Sequence, residues 1–221
     1  MRQPNNFNFV APFYRWLSQM VYGRKLEAVQ HTHLHLIEPG ANILVLGGGS
    51  GEILNHLPAD SHITFLDLSE AMLDRAKKKR RVHFVHADFL QWESTEHFDC
   101  IITPFFLDCF APDDLQTAIQ KIKVLLHPDG RLIVVDFYHD GRRTTGFLLR
   151  LMHLFFRWTA NLSSGKLQDI HATVLQEGFF CIEKQEERGS TFSAVYIRSG
   201  DFPLMLKKKS RLQGHNRDNG F

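Results

Sequence analysis

The sequence predicts an α/β fold: a doubly wound, seven-stranded sheet, mostly parallel, closed by a C-terminal antiparallel hairpin strand. Three observations predict it. Short, almost wholly apolar runs such as ANILVLG (41–47) are what strands covered on both faces look like. Such runs alternate with segments of helical period, as right-handed crossover connections require. Beyond Gly178 the alternation stops, and FFCIEKQEERGSTFSAVYIRS offers two strand-like runs joined across Arg188-Gly189-Ser190, close enough in sequence for a hairpin.

Taken in order, residues 13–36 carry Phe13, Leu17, Met20, Val21 and Leu26 near a 3.6-residue period, a helix that Pro39-Gly40 stops. ANILVLG is the first strand, and GEILNHLPAD after it supplies a short helix ended near Pro58. HITFLDLS is the second strand. SEAMLDRAKKKRR follows as a helix with Ser69 as N-cap and Met72, Leu73 and Ala76 inward. VHFVHADF and FDCIITPFF are strands three and four. PDDLQTAIQKIKVLL is a helix with Pro112 at its start, and GRLIVVDFY is the fifth strand, after the His127-Pro128-Asp129-Gly130 turn. Residues 144–162 are an apolar helical stretch, and KLQDIHATVLQEGF is a further helix ending at Gly178. The domain reading is an N-terminal helical lid (1–40), a core (41–198) with a helical insert at about 141–165, and a basic tail (199–221) that frays.

Composition narrows the function. The 221 residues suit one domain with a small extension, and 43% hydrophobic with 23% charged residues is ordinary for a globular protein. A formal net charge of +2 gives no whole-molecule field for nucleic acid. Basicity is confined to KKKRR (77–81), read as a solvated helix face, and KKKSR (207–211) in the tail, suited at most to weak contact with an anionic membrane surface. Cys100, Cys109 and Cys181 lack metal-like spacing, and the N-terminus lacks a signal-peptide pattern, so a reducing, cytoplasmic setting is the expectation. HTHLHL (31–36) places three histidines in different directions on a helix, and no metal is expected.

The chemistry concentrates in NILVLGGGSGEIL (42–54), with four glycines in five positions. Gly47, Gly48, Gly49 and Gly51 match GxGxG. They do not match the dinucleotide GxGxxG, because Glu52 stands where its last glycine belongs, and no Gly-Lys-Ser/Thr of a phosphate loop follows. A nicotinamide-dependent oxidoreductase is disfavoured on that spacing. Asp67 lies at the end of the second strand, where a carboxylate can accept both hydroxyls of an adenosine ribose.

These residues resemble the class I S-adenosylmethionine-dependent methyltransferases of the small-molecule, quinone- or lipid-methylating type, which have a Rossmann-like fold. ILVLGGGSGEI is similar to their first motif, FLDLSEAMLDRAKKK to the second-strand motif and VHFVHADFLQW to the third. FDCIITPFFLDCF resembles the fourth and VLLHPDGRLIVVDF the fifth-strand segment with its Pro-x-Gly turn. The resemblance spans roughly residues 9–198, in the expected order, and implies S-adenosylmethionine as cofactor. By it, Gly47, Gly48, Gly49 and Gly51 cradle the methionine end, and Asp67 holds the ribose. Leu68 and Met72 flank the cofactor, Asp88 meets the adenine amino group with Phe89 at its ring, and Thr103 and Phe105 close the site from the fourth strand. Tyr14 and Tyr22, in a segment similar to the helix before the core in quinone- and lipid-type enzymes, serve as a lid. The family often carries an acid two residues before the first glycine. Here that position is Val45, and Glu52 or the carbonyl of Gly47 is the expected substitute.

The expected partner is a small acceptor. TPFF (103–106) lacks the acid or amide and the second proline of the base-methylating signature, and the apolar FLLRLMHLFFRWTANL insert favours a hydrophobic or aromatic molecule. Asp108 and His139, near the ends of strands four and five, are the candidate general bases. The competing reading, kept open by Val45, is a catalytically inactive methyltransferase-like protein acting as a cofactor-binding regulator or scaffold.

Overall fold

The computed structural model describes residues 24–138, 169–187 and 191–201. The expected lid tyrosines Tyr14 and Tyr22, the base candidate His139, the 141–165 insert and the tail beyond residue 201 lie outside the described residues.

Seven strands form one sheet in the order β3-β2-β1-β4-β5-β7-β6. These are β1 (Asn42–Leu46), β2 (His62–Asp67), β3 (His83–His86), β4 (Phe98–Pro104), β5 (Leu126–Phe137), β6 (Phe179–Glu187) and β7 (Thr191–Arg198). The first five run parallel, and β7 joins antiparallel to both β5 and β6. The alternation of short apolar runs and helical segments dictated that result: each parallel neighbour needs a crossover, whereas the three-residue break at 188–190 permits only a hairpin.

Four α-helices stand among the described residues: α1 (Arg24–His31), α2 (Glu70–Ala76), α3 (Pro112–Leu125) and α4 (Ile170–Gln176). The pleat of β1 splits the core into two layers. Leu44 and Leu46 pack with Leu115, Ala118, Ile119 and Ile122 of α3 and with Ile170 and Val174 of α4. Ile43 and Val45 pack on the opposite face with Ile53, Leu54, Leu73 and Ala76. Burying each large aliphatic side chain contributes roughly 1.5–3 kcal/mol, so α3 is held by its inward stripe rather than by propensity. Pro112 opens it at the first turn, where no N–H is needed, and Asp113 and Asp114 favour the helix dipole.

Four local expectations are revised. The helix after the glycines is a single 3-10 turn, Glu52–Asn55, because Pro58 leaves no room for a longer one. α2 ends at Ala76, not Arg81. The basic run beyond it is not a uniform solvated face: Arg80 donates to the carbonyls of Leu54, Leu57, Pro58 and Ala59 at 3.4, 3.1, 2.9 and 2.8 Å. Its guanidinium satisfies acceptors that a short, broken turn leaves unpaired. Finally, β5 starts at Leu126, and the expected turn is a bulge within it: pairing with β4 passes from Leu126 opposite Phe98 to Arg131 opposite Cys100.

The segment after α1 is tied to the far sheet. His33 is 1% exposed, its Nδ1 lies 2.7 Å from Ser193 Oγ on β7, and burial holds its imidazole below the usual pKa.

Candidate functional site

Strand order reverses between β1 and β4, and an open α/β sheet binds ligands in the crevice outside that point. The glycine loop leaves β1 there. Its N-terminal end is fixed by the Gly47 N–H, which donates to Leu66 O on β2 at 2.9 Å.

The four glycines serve different purposes. A Cβ on Gly48 would stand 2.4 Å from the Phe65 ring and 2.9 Å from Val45 Cγ1; one on Gly51 would stand 2.7 Å from Ala76 Cβ. One on Gly47 would meet Phe106 Cδ2 at 2.5 Å. These three are bare because the protein itself occupies the space. Gly49 alone of the four would meet nothing within 4 Å among the described residues, and its φ of +58° is one that L side chains resist. Open space over a backbone that can be approached closely is therefore limited to Gly49.

Asp67 sits directly behind it. One carboxylate oxygen accepts the Gly49 N–H at 3.1 Å, and the other accepts the Ser69 N–H at 2.8 Å. The side chain is 9% exposed, and burial raises its pKa against the pull of those two N–H groups and of His86. Each oxygen keeps lone-pair capacity for a further donor, so a ribose fits this carboxylate without displacing the loop. Leu68, next in sequence, is 42% exposed, and Met72 is half-buried on α2. The Ala87 N–H donates to Asp67 O at 3.4 Å, which brings the loop after β3 alongside. Asp88 there is exposed and caps its own turn, accepting from Leu90 N at 2.9 Å. Phe89 points inward: it is 2% exposed and packs edge-on to Phe106 at 5.8 Å.

Of the two expected substitutes for an acid at position 45, Glu52 does not stand free. Val45 is fully buried, and Glu52 is engaged by Lys79 Nζ at 3.0 Å. Thr103 is fully buried within β4, and its hydroxyl has no partner among the described residues.

The loop after β4 forms the second wall. Phe105 has a φ of +53°, the one positive value outside glycine among the described residues, a conformation costing on the order of 1–3 kcal/mol. Its N–H donates to Val135 O at 2.7 Å, and its ring packs on Phe137. The turn delivers Phe106 onto Gly47 and against Phe110, with ring centroids 5.0 Å apart. Asp108 follows, half-buried, with its pKa pushed up to about 6 by burial. Cys109 Sγ donates to Asp108 Oδ1 at 3.5 Å, and burial and the nearby carboxylates push its thiol well up.

One residue of this site escaped the sequence reading. Asp136, at the end of β5, is fully buried, and its Oδ2 accepts the Leu107 N–H at 3.1 Å and the Asp108 N–H at 3.3 Å. Burial, and then the charge of Asp108, hold it well above the ordinary carboxyl value. The signal was available: an acid inside the apolar run LIVVDF is an informative exception, since an unpaired buried carboxyl is costly.

The chain is similar to known proteins. A family model described as a methyltransferase domain matches residues 43–130. A probable thiol methyltransferase 2 of Arabidopsis thaliana is 32% identical over 120 residues, which are 49% of this chain and 53% of that protein. The ubiquinone/menaquinone biosynthesis C-methyltransferase UbiE of Vibrio cholerae is 31% identical over 111 residues, 45% of this chain and 42% of that protein. The chain thus spans about half the length of these curated relatives. Among solved structures, the N-methyltransferase NodS of Bradyrhizobium japonicum, in complex with S-adenosyl-L-homocysteine, superposes with a TM-score of 0.60. Its identity is 20%, covering 80% of this chain and 88% of that one, a likeness of fold.

Proposed function

The chain belongs to the class I S-adenosylmethionine-dependent methyltransferases, and from that premise we propose that it transfers a methyl group to a small, hydrophobic or aromatic acceptor. The observation that carries the cofactor half of this reading is the open space over Gly49, backed by the Asp67 carboxylate, at the strand switch point. Gly49 and its neighbours lie against the methionine end, Asp67 takes the ribose hydroxyls, and Asp88 takes the adenine amino group. When bound, the cofactor supplies an electrophilic methyl on a sulfonium sulfur.

The acceptor half rests on the loop after β4. Phe105, Phe106 and Phe110 supply an apolar wall that suits an aromatic acceptor and excludes water. A protic acceptor atom would have to lose its proton as it takes that methyl. Its proton passes to the Asp108 carboxylate. A carboxyl that titrates at about 6 is ionised at neutral pH and basic enough to accept that proton. Much of the rate comes from holding acceptor atom, methyl and sulfur in line. Relatives named for thiol and for ubiquinone/menaquinone methylation make thiols and phenol- or quinol-like rings the first acceptors to try. Among the described residues no helix is long and apolar enough to cross a membrane.

The test is calorimetric titration with S-adenosylmethionine and S-adenosylhomocysteine, followed by transfer of labelled methyl to a panel of thiols, phenols and hydroquinones. Micromolar binding with transfer to at least one class is expected. Failure of both cofactor forms to bind at high micromolar concentration would refute the reading.

A further inference from the structure

We propose that Asp136 is a positioning residue for the acceptor side of the site: from the end of β5 it clamps the loop after β4, and through that loop it ties Asp108 to the glycine loop. The assignment of Asp108 to the acceptor side rests on the function proposed above; the clamp itself rests on geometry.

Asp136 is fully buried, yet it makes no ion pair among the described residues. Its partners are backbone N–H groups: Leu107 at 3.1 Å, Asp108 at 3.3 Å and Phe137 at 2.9 Å. Two of the three belong to the loop after β4, so one side chain fixes the path of that loop from the neighbouring strand. The loop needs fixing. It leaves β4 through Phe105 in a left-handed conformation that relaxation would abandon. The Phe105 N–H on Val135 O secures one end of the turn, and Asp136, the residue after Val135, secures the other. Between the two, Phe106 is pressed onto Gly47. Releasing the clamp frees Phe106 to move off the glycine loop, so a residue of β5 governs a surface belonging to β1.

The same clamp sets two acids side by side. Burial raises the cost of ionising both acids, and the charge of Asp108 raises that of Asp136 further, so the two titrate as a pair. Among the described residues the other titratable groups facing the pair are the Cys109 thiol, which donates to Asp108, and Tyr196 of β7, whose phenol feels Asp136; Asp67 acts on Cys109 from across the site. All are neutral or negative at neutral pH. Nothing in that set neutralises the pair.

The test uses the full chain with carbon-13-labelled aspartate, native and Asp136→Asn, with S-adenosylhomocysteine as the binding probe. The Asn variant keeps the shape but turns an amide donor toward backbone donors and removes one charge. The midpoint of Asp108, at about 6 in the native chain, is expected to fall toward the ordinary carboxyl value, because the released loop lets water reach a carboxyl that burial holds up. Affinity for S-adenosylhomocysteine is expected to fall roughly tenfold, from loss of charge-assisted hydrogen bonds that hold the loop. A role confined to stability would lower the melting temperature and leave the Asp108 midpoint alone. A folded variant with an unchanged midpoint overturns the proposal. If Asp136→Asn does not fold, Asp108→Asn carries the test: the Asp136 midpoint is expected to fall in it, and an unchanged midpoint overturns the pairing. If native chain binds no S-adenosylhomocysteine, the proposed function fails, while the titration still decides the clamp.

Discussion

The glycine side of the candidate site, Gly47–Gly51 with Asp67, and the proposed acceptor side, Phe105–Cys109 with Asp136, are built on different physics. On the glycine side the constraint is volume. Three of the four glycines are bare because Phe106, Phe65 and Ala76 stand where a Cβ would go, and a single carboxylate bonds to the loop backbone. On the acceptor side the constraint is charge. Two acids are neighbours, Asp136 fully buried and Asp108 half-buried, and Asp136 clamps a strained turn beside three phenylalanines. The first half should therefore respond to added atoms at any pH. The second should respond to pH and to isosteric charge removal.

The largest effect tests the volume half. Gly51→Ala forces a methyl to within 2.7 Å of Ala76 Cβ and 2.9 Å of its backbone, at a φ of +79°. Stability should fall by about 3 kcal/mol at pH 5 and pH 8 alike, read by chemical denaturation. A loss below about 1 kcal/mol would mean the loop and α2 separate easily. Next, Asp67→Asn sets an amide donor against the Gly49 or Ser69 N–H. We expect about 2 kcal/mol of lost stability and at least a tenfold loss of S-adenosylhomocysteine affinity by calorimetry. Unchanged affinity would remove Asp67 from the cofactor site.

Asp108→Asn probes the charge half. The carboxyl goes from 3.8 in the unfolded chain to about 6 in the fold, so the folded state binds its proton more tightly. That stabilisation is present below 3.8 and is lost as pH rises through about 6. The amide cannot ionise, so the variant should exceed native stability by about 2 kcal/mol at pH 8 and by nothing near pH 3.5. A pH-independent difference would contradict the buried-acid description. The smallest effect belongs to Gly49→Ala, whose methyl enters open space and meets only the backbone penalty, about 1 kcal/mol. A loss as large as that of Gly51→Ala would show that the space over Gly49 is filled by the protein and erase the distinction among the glycines.

Much of this was legible from residues near one another in sequence. The almost wholly apolar NILVL announced a strand buried on both faces, and β1 is one from Ile43 to Leu46. Pro112 marked the start of α3, with Ala111 at the N-cap position. GxGxG followed by Asp67 located the switch-point loop. The reason given for the glycines was only partly right. The sequence reading assigned their bareness to a ligand, whereas the structure attributes it to Phe65, Ala76 and Phe106 at three positions and leaves Gly49 as the open one. Those neighbours arrive from β2, α2 and the loop after β4, and no spacing rule reports them.

What the sequence by itself determined is the alternation, the strand count, the site's place in the fold and the residue types able to hold an adenosine cofactor. Each follows from periodicity and turn chemistry acting over a few residues. Only the tertiary structure decided that Arg80 caps carbonyls twenty-odd residues back, that Phe89 turns into the core and that Asp136 grips a loop about thirty residues before it. Sheet pairing brings those groups together, and a side chain's environment is set by what lies across the sheet from it. Burial then converts that proximity into energy, because a carboxyl or guanidinium removed from water must find its partners wherever the fold has put them.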